Sequence, residues 1–251
     1  GIEFENPLIV GAGWDKAGRA VKALHKLGFS GVELGAVLPD PQIGNPKPRQ
    51  FIIGPGVVIN RLGWNSPGVE AVKKNLERYK GSGIPIGVNV WINKGISEMQ
   101  APEMYAKVVD RLYDNAAYFA INVSCPNQQG LPKLQDKKLL TDIIQAVNGV
   151  MDGTGKRKPL FVKISPDLTN KEIGDIIDVV MANGLTGIIA TNTTIDSDIK
   201  AQYGERWRNE PGGLSGDDKN FRKKATETIA HIYQETQGKI EIIGVGGVKD
   251  V

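Results

Sequence analysis

Four asparagines, two lysines and one cysteine stand at or beside the ends of short apolar runs. The asparagines are Asn89 (in PIGVNV), Asn122 and Asn127 (in INVSCPN) and Asn192 (in ATNTT). A carboxamide offers a donor and an acceptor in one plane. Asparagine is disfavoured inside strands, so several at strand ends point to recognition of an amide-rich planar ring, such as a pyrimidine or a flavin. Each alone reads equally well as a loop cap; the four together read as a ligand set. Cys125 is the only cysteine. Between Ser124 and Pro126 it is expected to face a cleft, where a thiol of ordinary pKa about 8.5 serves as a general base after modest tuning. The alternative is a small buried hydrophobe. His25 and His231 fall in helical patterns and are expected at the surface, so a protease-like Cys/His pair is not in view.

Lys16 and Lys163 sit among apolar residues, where an ammonium needs an anion. Lys16 suits a carboxylate and Lys163 an anionic cofactor ring; the plainer alternative is an ion pair with Asp15 or Asp167. Two glycine-rich turns, GGLSG (212–216) and GVGG (244–247), could present backbone N–H groups to a phosphate. Neither is a dinucleotide fingerprint or a Walker loop.

Positioning such residues requires strands that end together. Seven apolar runs rich in Val and Ile do this: PLIVGAG (7–13), GVELGAV (31–37), PIGVNV (85–90), YFAINVS (118–124), LFVKIS (160–165), GIIATNT (187–193) and IEIIGVGG (240–247). Such runs read as parallel strands buried on both faces. Helical patterns lie between them at 15–27, 68–79, 102–115, 137–151, 169–181 and 218–236, with a capping-box pattern at Thr169 and Glu172. The alternation predicts an α/β protein, a TIM (β/α)8 barrel with seven of its eight strands, over an open doubly wound sheet. A fragment is the preferred explanation of the missing strand. The whole chain, 1–251, is expected to be one domain. Two spans are long, 38–84 and 194–239. Both follow strand C-terminal ends, where barrels carry active-site loops.

Composition narrows the function. The chain has 251 residues and a net charge of +3, which excludes a strongly basic nucleic-acid binder and an acidic tail. No apolar stretch approaches the roughly 20 residues that span a bilayer. Two histidines and one cysteine are a poor supply of metal ligands, so no metal is expected.

Eight ordered motifs carry a resemblance: GAGWDKAG (11–18), GNPKPR (44–49), INRLGWN (59–65), INVSCPN (121–127), VKISPDL (162–168), ATNTT (190–194), GGLSG (212–216) and IIGVGG (242–247). In this order they resemble the dihydroorotate dehydrogenases, across nearly the whole chain. The resemblance implies a TIM barrel that carries FMN and oxidises dihydroorotate to orotate in pyrimidine biosynthesis. It implies Cys125 as the base that removes the C5 proton while hydride passes from C6 to FMN N5. It implies pyrimidine contacts from Asn60, Asn122, Asn127, Asn192 and Thr193, with Lys16 near both substrate and flavin. Flavin contacts are implied for Ala12, Gly13, Asn89, Asn122, Lys163 and Thr191, and phosphate contacts for Gly216, Gly246 and Gly247.

Several positions depart from the family's pattern. The framework resembles the membrane-associated, quinone-using class, whose base is normally serine, whereas the cysteine resembles the soluble class. Ala36 stands for a flavin-contacting threonine, Trp91 for a small residue and Gln128 for a lid threonine. The N-terminal helical pair that binds quinone and the final segment with the eighth strand are not in the sequence, which predicts an open barrel with weakened FMN binding. Quinone, fumarate or a partner subunit remain open as electron acceptor. The expected location is the cytoplasm, or the membrane surface if preceding residues anchor the protein. The rival readings are an FMN enzyme acting on another dihydropyrimidine, and a non-catalytic binding protein.

Overall fold

The structure is a computed structural model that describes residues 1–124 and 136–248. Cys125, Asn127 and Gln128 lie outside the described residues. Strands are β1 (Ile9–Val10), β2 (Gly31–Val37), β3 (Gln50–Gly54), β4 (Val57–Asn60), β5 (Ile86–Val90), β6 (Tyr118–Asn122), β7 (Leu160–Ile164), β8 (Gly187–Ala190), β9 (Gly213–Gly216) and β10 (Glu241–Gly244). Helices are α1 (Val21–Lys26), α2 (Val69–Leu76), α3 (Ala101–Leu112), α4 (Lys137–Gly153), α5 (Asn170–Ala182), α6 (Ser197–Ala201) and α7 (Lys219–Thr236).

All seven expected strands form one sheet in the order β1-β2-β5-β6-β7-β8-β10, each pair parallel. Each new strand adds on the same side, as in a barrel. The sheet curls far enough that a Cβ placed on Gly11, just after β1, would stand 3.7 Å from Val245, just after β10. Period-2 alternation then divides the residues between two cores. Val32, Leu34, Val88, Phe119, Ile121, Val162 and Ile188 face the helices and join the main cluster. Tyr118, Ala120, Phe161 and Ile189 face inward and fill the barrel floor, with Ile243 and Val245 against them. Four inward positions are polar: Glu33 within β2, and Asn89, Asn122 and Lys163 near the C-terminal ends of β5, β6 and β7.

Five helices follow the sequence reading closely. Thr169 caps α5 in a capping box with Glu172, and Asp218 caps α7 by accepting from Phe221 N. The helix expected at 15–27 is corrected to the shorter α1. Gly18 has φ +68, and the Asp15 carboxylate takes the N–H groups of Ala17, Arg19 and Ala20, closing a turn instead of a first helical coil.

The two long spans meet as a cap. From the first come β3 and β4, and from the second β9, forming an antiparallel sheet in the order β3-β4-β9. GGLSG, read as a turn, is therefore largely a strand. Its own small core contains Val57, Ile59, Ile199, Leu214 and Phe221. The cap is tied to the barrel where Thr194 and Leu214 exchange backbone hydrogen bonds at 3.0 and 2.7 Å. Among the described residues, no helix is long and apolar enough to cross a membrane.

Candidate active site at the barrel mouth

The polar inward residues form one hydrogen-bonded ladder across the strand ends. Lys163 Nζ donates to Glu33 Oε1 at 3.0 Å, and Asn89 Nδ2 donates to the same oxygen at 3.1 Å. Asn122 Nδ2 donates to Asn89 Oδ1 at 2.9 Å. Asn122 Oδ1 accepts from the backbone N–H and hydroxyl of Ser124, and Asn192 Nδ2 donates to Ser124 Oγ. Asn192 Oδ1 accepts from Thr193 N at 2.9 Å. Three of the four expected asparagines thus stand side by side; the fourth, Asn127, lies outside the described residues. Asn89 is held by buried partners rather than serving as a loop cap, whereas Asn122 both donates to Asn89 and caps the following turn through Ser124 N.

Lys163 is 4% exposed and pairs with Glu33, not with Asp15 or Asp167. Asp15 is spent on the backbone of the turn before α1, and Asp167 pairs with Lys224 at 2.7 Å. Glu33 is the buried member of this ladder that sequence reasoning missed. Its signal was present: an ionisable side chain in the middle of GVELGAV needs a buried partner, and FVKIS offers one. The Tyr118 hydroxyl donates to Glu33 Oε2 at 3.2 Å. Burial and that neighbouring carboxylate push the Tyr118 phenol well up, so it remains a donor. The ring reaches Glu33 across Gly87, where a Cβ would collide with it.

Lys16 sits above this layer, its Nζ donating to Gly35 O at 3.4 Å. Burial, then the cations of Arg49 and Lys163, push its ammonium down to about 8. The unfolded chain, near 10.5, therefore binds more protons than the folded one between about pH 8 and 10.5, and in that window stability rises with pH. Lys16→Met is expected to stabilise the ligand-free protein at pH 7 by on the order of 2 kcal/mol, discounting for the part that reaches solvent. The gain should vanish by about pH 10.5. Urea unfolding at pH 7 and pH 10 checks this, and a variant less stable at pH 7 contradicts it.

The cap brings the remaining residues in. Asn60, at the end of β4, pairs in register with Gly213. A Cβ on Gly213 would collide with Thr193 Oγ1, so this glycine lets Asn60 and Thr193 share one wall. Thr191 N donates to Val245 O at 2.7 Å, holding β8 to the last strand. Gly216 and Gly247 adjoin: a Cβ on Gly247 would lie 2.8 Å from Gly216 O. Gly246 and Gly247 have φ +134 and +63. The end of β9 and the turn after β10 therefore make a single half-buried glycine cradle beside the start of α7, with Arg222 against it. Ala12 and Gly13 stand at the end of β1, and Gly13 has open space around it. Ala36 and Trp91 are buried, and Trp91 stacks on Trp64 at 4.4 Å and 14°. His25 and His231 lie in α1 and α7 as expected, but half-buried rather than at the surface. Among the described residues, no cluster of His, Cys, Asp and Glu could hold a metal.

The chain is thus an α/β barrel whose mouth joins an amide ladder, a lysine and adjoining glycine segments. The family model described as dihydroorotate dehydrogenase matches residues 1–251. The dihydroorotate dehydrogenase (quinone) of Yersinia enterocolitica is 40% identical over all of this chain and 75% of its own length. That of Thermosynechococcus vestitus is 42% identical over 99% of this chain and 68% of its own. The Eimeria tenella DHODH crystal structures, in complex with ferulenol and ligand-free, superpose with a TM-score of 0.88 in both cases. They are 35% and 36% identical, covering 98% and 99% of this chain and 71% and 74% of theirs. The chain belongs to the dihydroorotate dehydrogenase family, and its fold is that family's TIM barrel.

Proposed function

We propose that this chain, as a single flavin-binding barrel domain, oxidises dihydroorotate to orotate with FMN as its resident cofactor. The observation that carries the reading is the hydrogen-bonded ladder that runs from the buried Glu33 and Lys163 through Asn89, Asn122 and Ser124 to the half-buried Asn192 and Thr193. It presents fixed donors and acceptors at the strand ends, as a ring rich in amide groups requires. The residues present fit FMN. Lys163, Asn89, Asn122 and Thr191 would hold the ring, with Ala12, Gly13 and Lys16 at its edge, and the Gly216–Gly246–Gly247 cradle would take the phosphate. When bound, the flavin accepts the two electrons of the oxidation.

The chain's own residues supply position and proton transfer. Asn60, Asn122, Asn127, Asn192 and Thr193 orient the pyrimidine, and the Lys16 ammonium takes its carboxylate. Cys125, next to Ser124 of the ladder, removes the C5 proton. The names and the whole-chain identity of the bacterial relatives support a quinone as electron acceptor, and with it association at a membrane surface; fumarate or a partner subunit are the alternatives.

The test is an anaerobic absorbance spectrum of the purified protein before and after adding dihydroorotate. A flavin band that bleaches is the expected result. Bleaching by dihydrouracil in preference to dihydroorotate would transfer the reading to another dihydropyrimidine, and protein that takes up no added FMN would end it.

A further inference from the structure

We propose that Glu33 is a positioning residue of the flavin site, fixing with one carboxylate both the place of the Lys163 ammonium and the direction in which the amide ladder runs. The inference rests on the flavin reading above.

Glu33 is 1% exposed, and its Oε1 is shared by Lys163 and Asn89 at 3.0 and 3.1 Å. An ionised carboxylate only accepts. Asn89 must therefore turn its NH2 to Glu33 and its carbonyl to Asn122, which answers with its own NH2 at 2.9 Å. The Ser124 backbone N–H, which can only donate, pins the Asn122 carbonyl in the same sense from the far end. Reversing Asn89 would set its carbonyl against a carboxylate in a buried, low-dielectric place. The ladder thus has one polarity, and Glu33 is its charged end.

Packing alone does not call for this charge. Apolar side chains already fill the adjoining interior, and a buried ion pair is generally no more stabilising than well-packed apolar residues. What the pair does at this level is fix charge beside whatever ring the mouth holds. A ring that gains electrons is favoured by Lys163 and opposed by Glu33, so the paired arrangement sets how readily it is reduced.

The experiment compares the flavin midpoint potential and FMN affinity of the native holoprotein, Glu33→Gln and Glu33→Asp at pH 7. Glu33→Gln keeps the size and removes the charge. It should raise the potential and weaken FMN binding about tenfold, the size of one lost charge-assisted hydrogen bond. Glu33→Asp keeps the charge and should keep a native-like potential. A folded Glu33→Gln that releases FMN beside a Glu33→Asp that retains it carries the same meaning. A Glu33→Gln potential equal to native, or equal shifts in both variants, overturns the proposal and leaves the flavin reading standing. Native protein that holds no FMN takes down both.

Discussion

Cys125→Ala is expected to slow reduction of the bound flavin by dihydroorotate by about 10²- to 10⁴-fold, the usual worth of a positioned general base. Orotate affinity should be largely unchanged, because the ring is to be held by the asparagines and Lys16 rather than by the thiol. The effect belongs in the rate of the chemical step, and anaerobic stopped-flow mixing with excess dihydroorotate isolates it from acceptor turnover. Thiol and hydroxyl bases differ in acidity by several pK units. Cys125→Ser therefore should recover only part of the rate at neutral pH, and more as pH rises. Reduction by Cys125→Ala at the native rate removes Cys125 from the role. A parallel loss of orotate binding would instead mean that Cys125 shapes the pocket.

The second large effect is on stability. Lys163→Met leaves the Glu33 carboxylate buried without its cation, and breaking a buried pair from one side costs about 3–5 kcal/mol. Asn89 and the Tyr118 hydroxyl still donate to Glu33, which places the expected loss toward the lower end. The double variant Lys163→Met/Glu33→Met should recover only part of it, since removing Glu33 leaves the buried Asn89 amide and Tyr118 hydroxyl without their acceptor. Neither variant should retain FMN at native affinity. Urea unfolding of the ligand-free native protein, both single variants (Lys163→Met and Glu33→Met) and the double variant gives the coupling. A single variant as stable as native would mean that water reaches Glu33, and that the pair is not the closed unit its geometry describes.

Much of this was legible in the residues themselves. The strands were readable because Val and Ile cluster in runs too short for helices, and five helices because apolar residues recur with period 3.6. The asparagines and Lys163 drew attention because they are costly where the runs place them. The cap was missed because Gln50–Gly54, Val57–Asn60 and Gly213–Gly216 are short strands in glycine- and proline-rich sequence, and the pairing of the last two joins residues more than 150 positions apart. Composition cannot show such a pairing. Asn60 came into view by resemblance alone, and it took the β4–β9 register to put it beside Thr193.

Glu33 marks the boundary most clearly. Its strand, β2, is not a neighbour of β7 in the sheet; β5 and β6 lie between them. Local sequence therefore offered the nearby Asp167 as partner for Lys163, and the pair that forms is 130 residues apart. Curling the sheet turns the alternate side chains of non-adjacent strands toward a common axis, so that groups distant along both the chain and the sheet meet across the interior. The sequence alone determined which residues face inward, through a period of two. Which inward residue meets which was decided only by closure of the sheet, because that is what sets distances across the barrel.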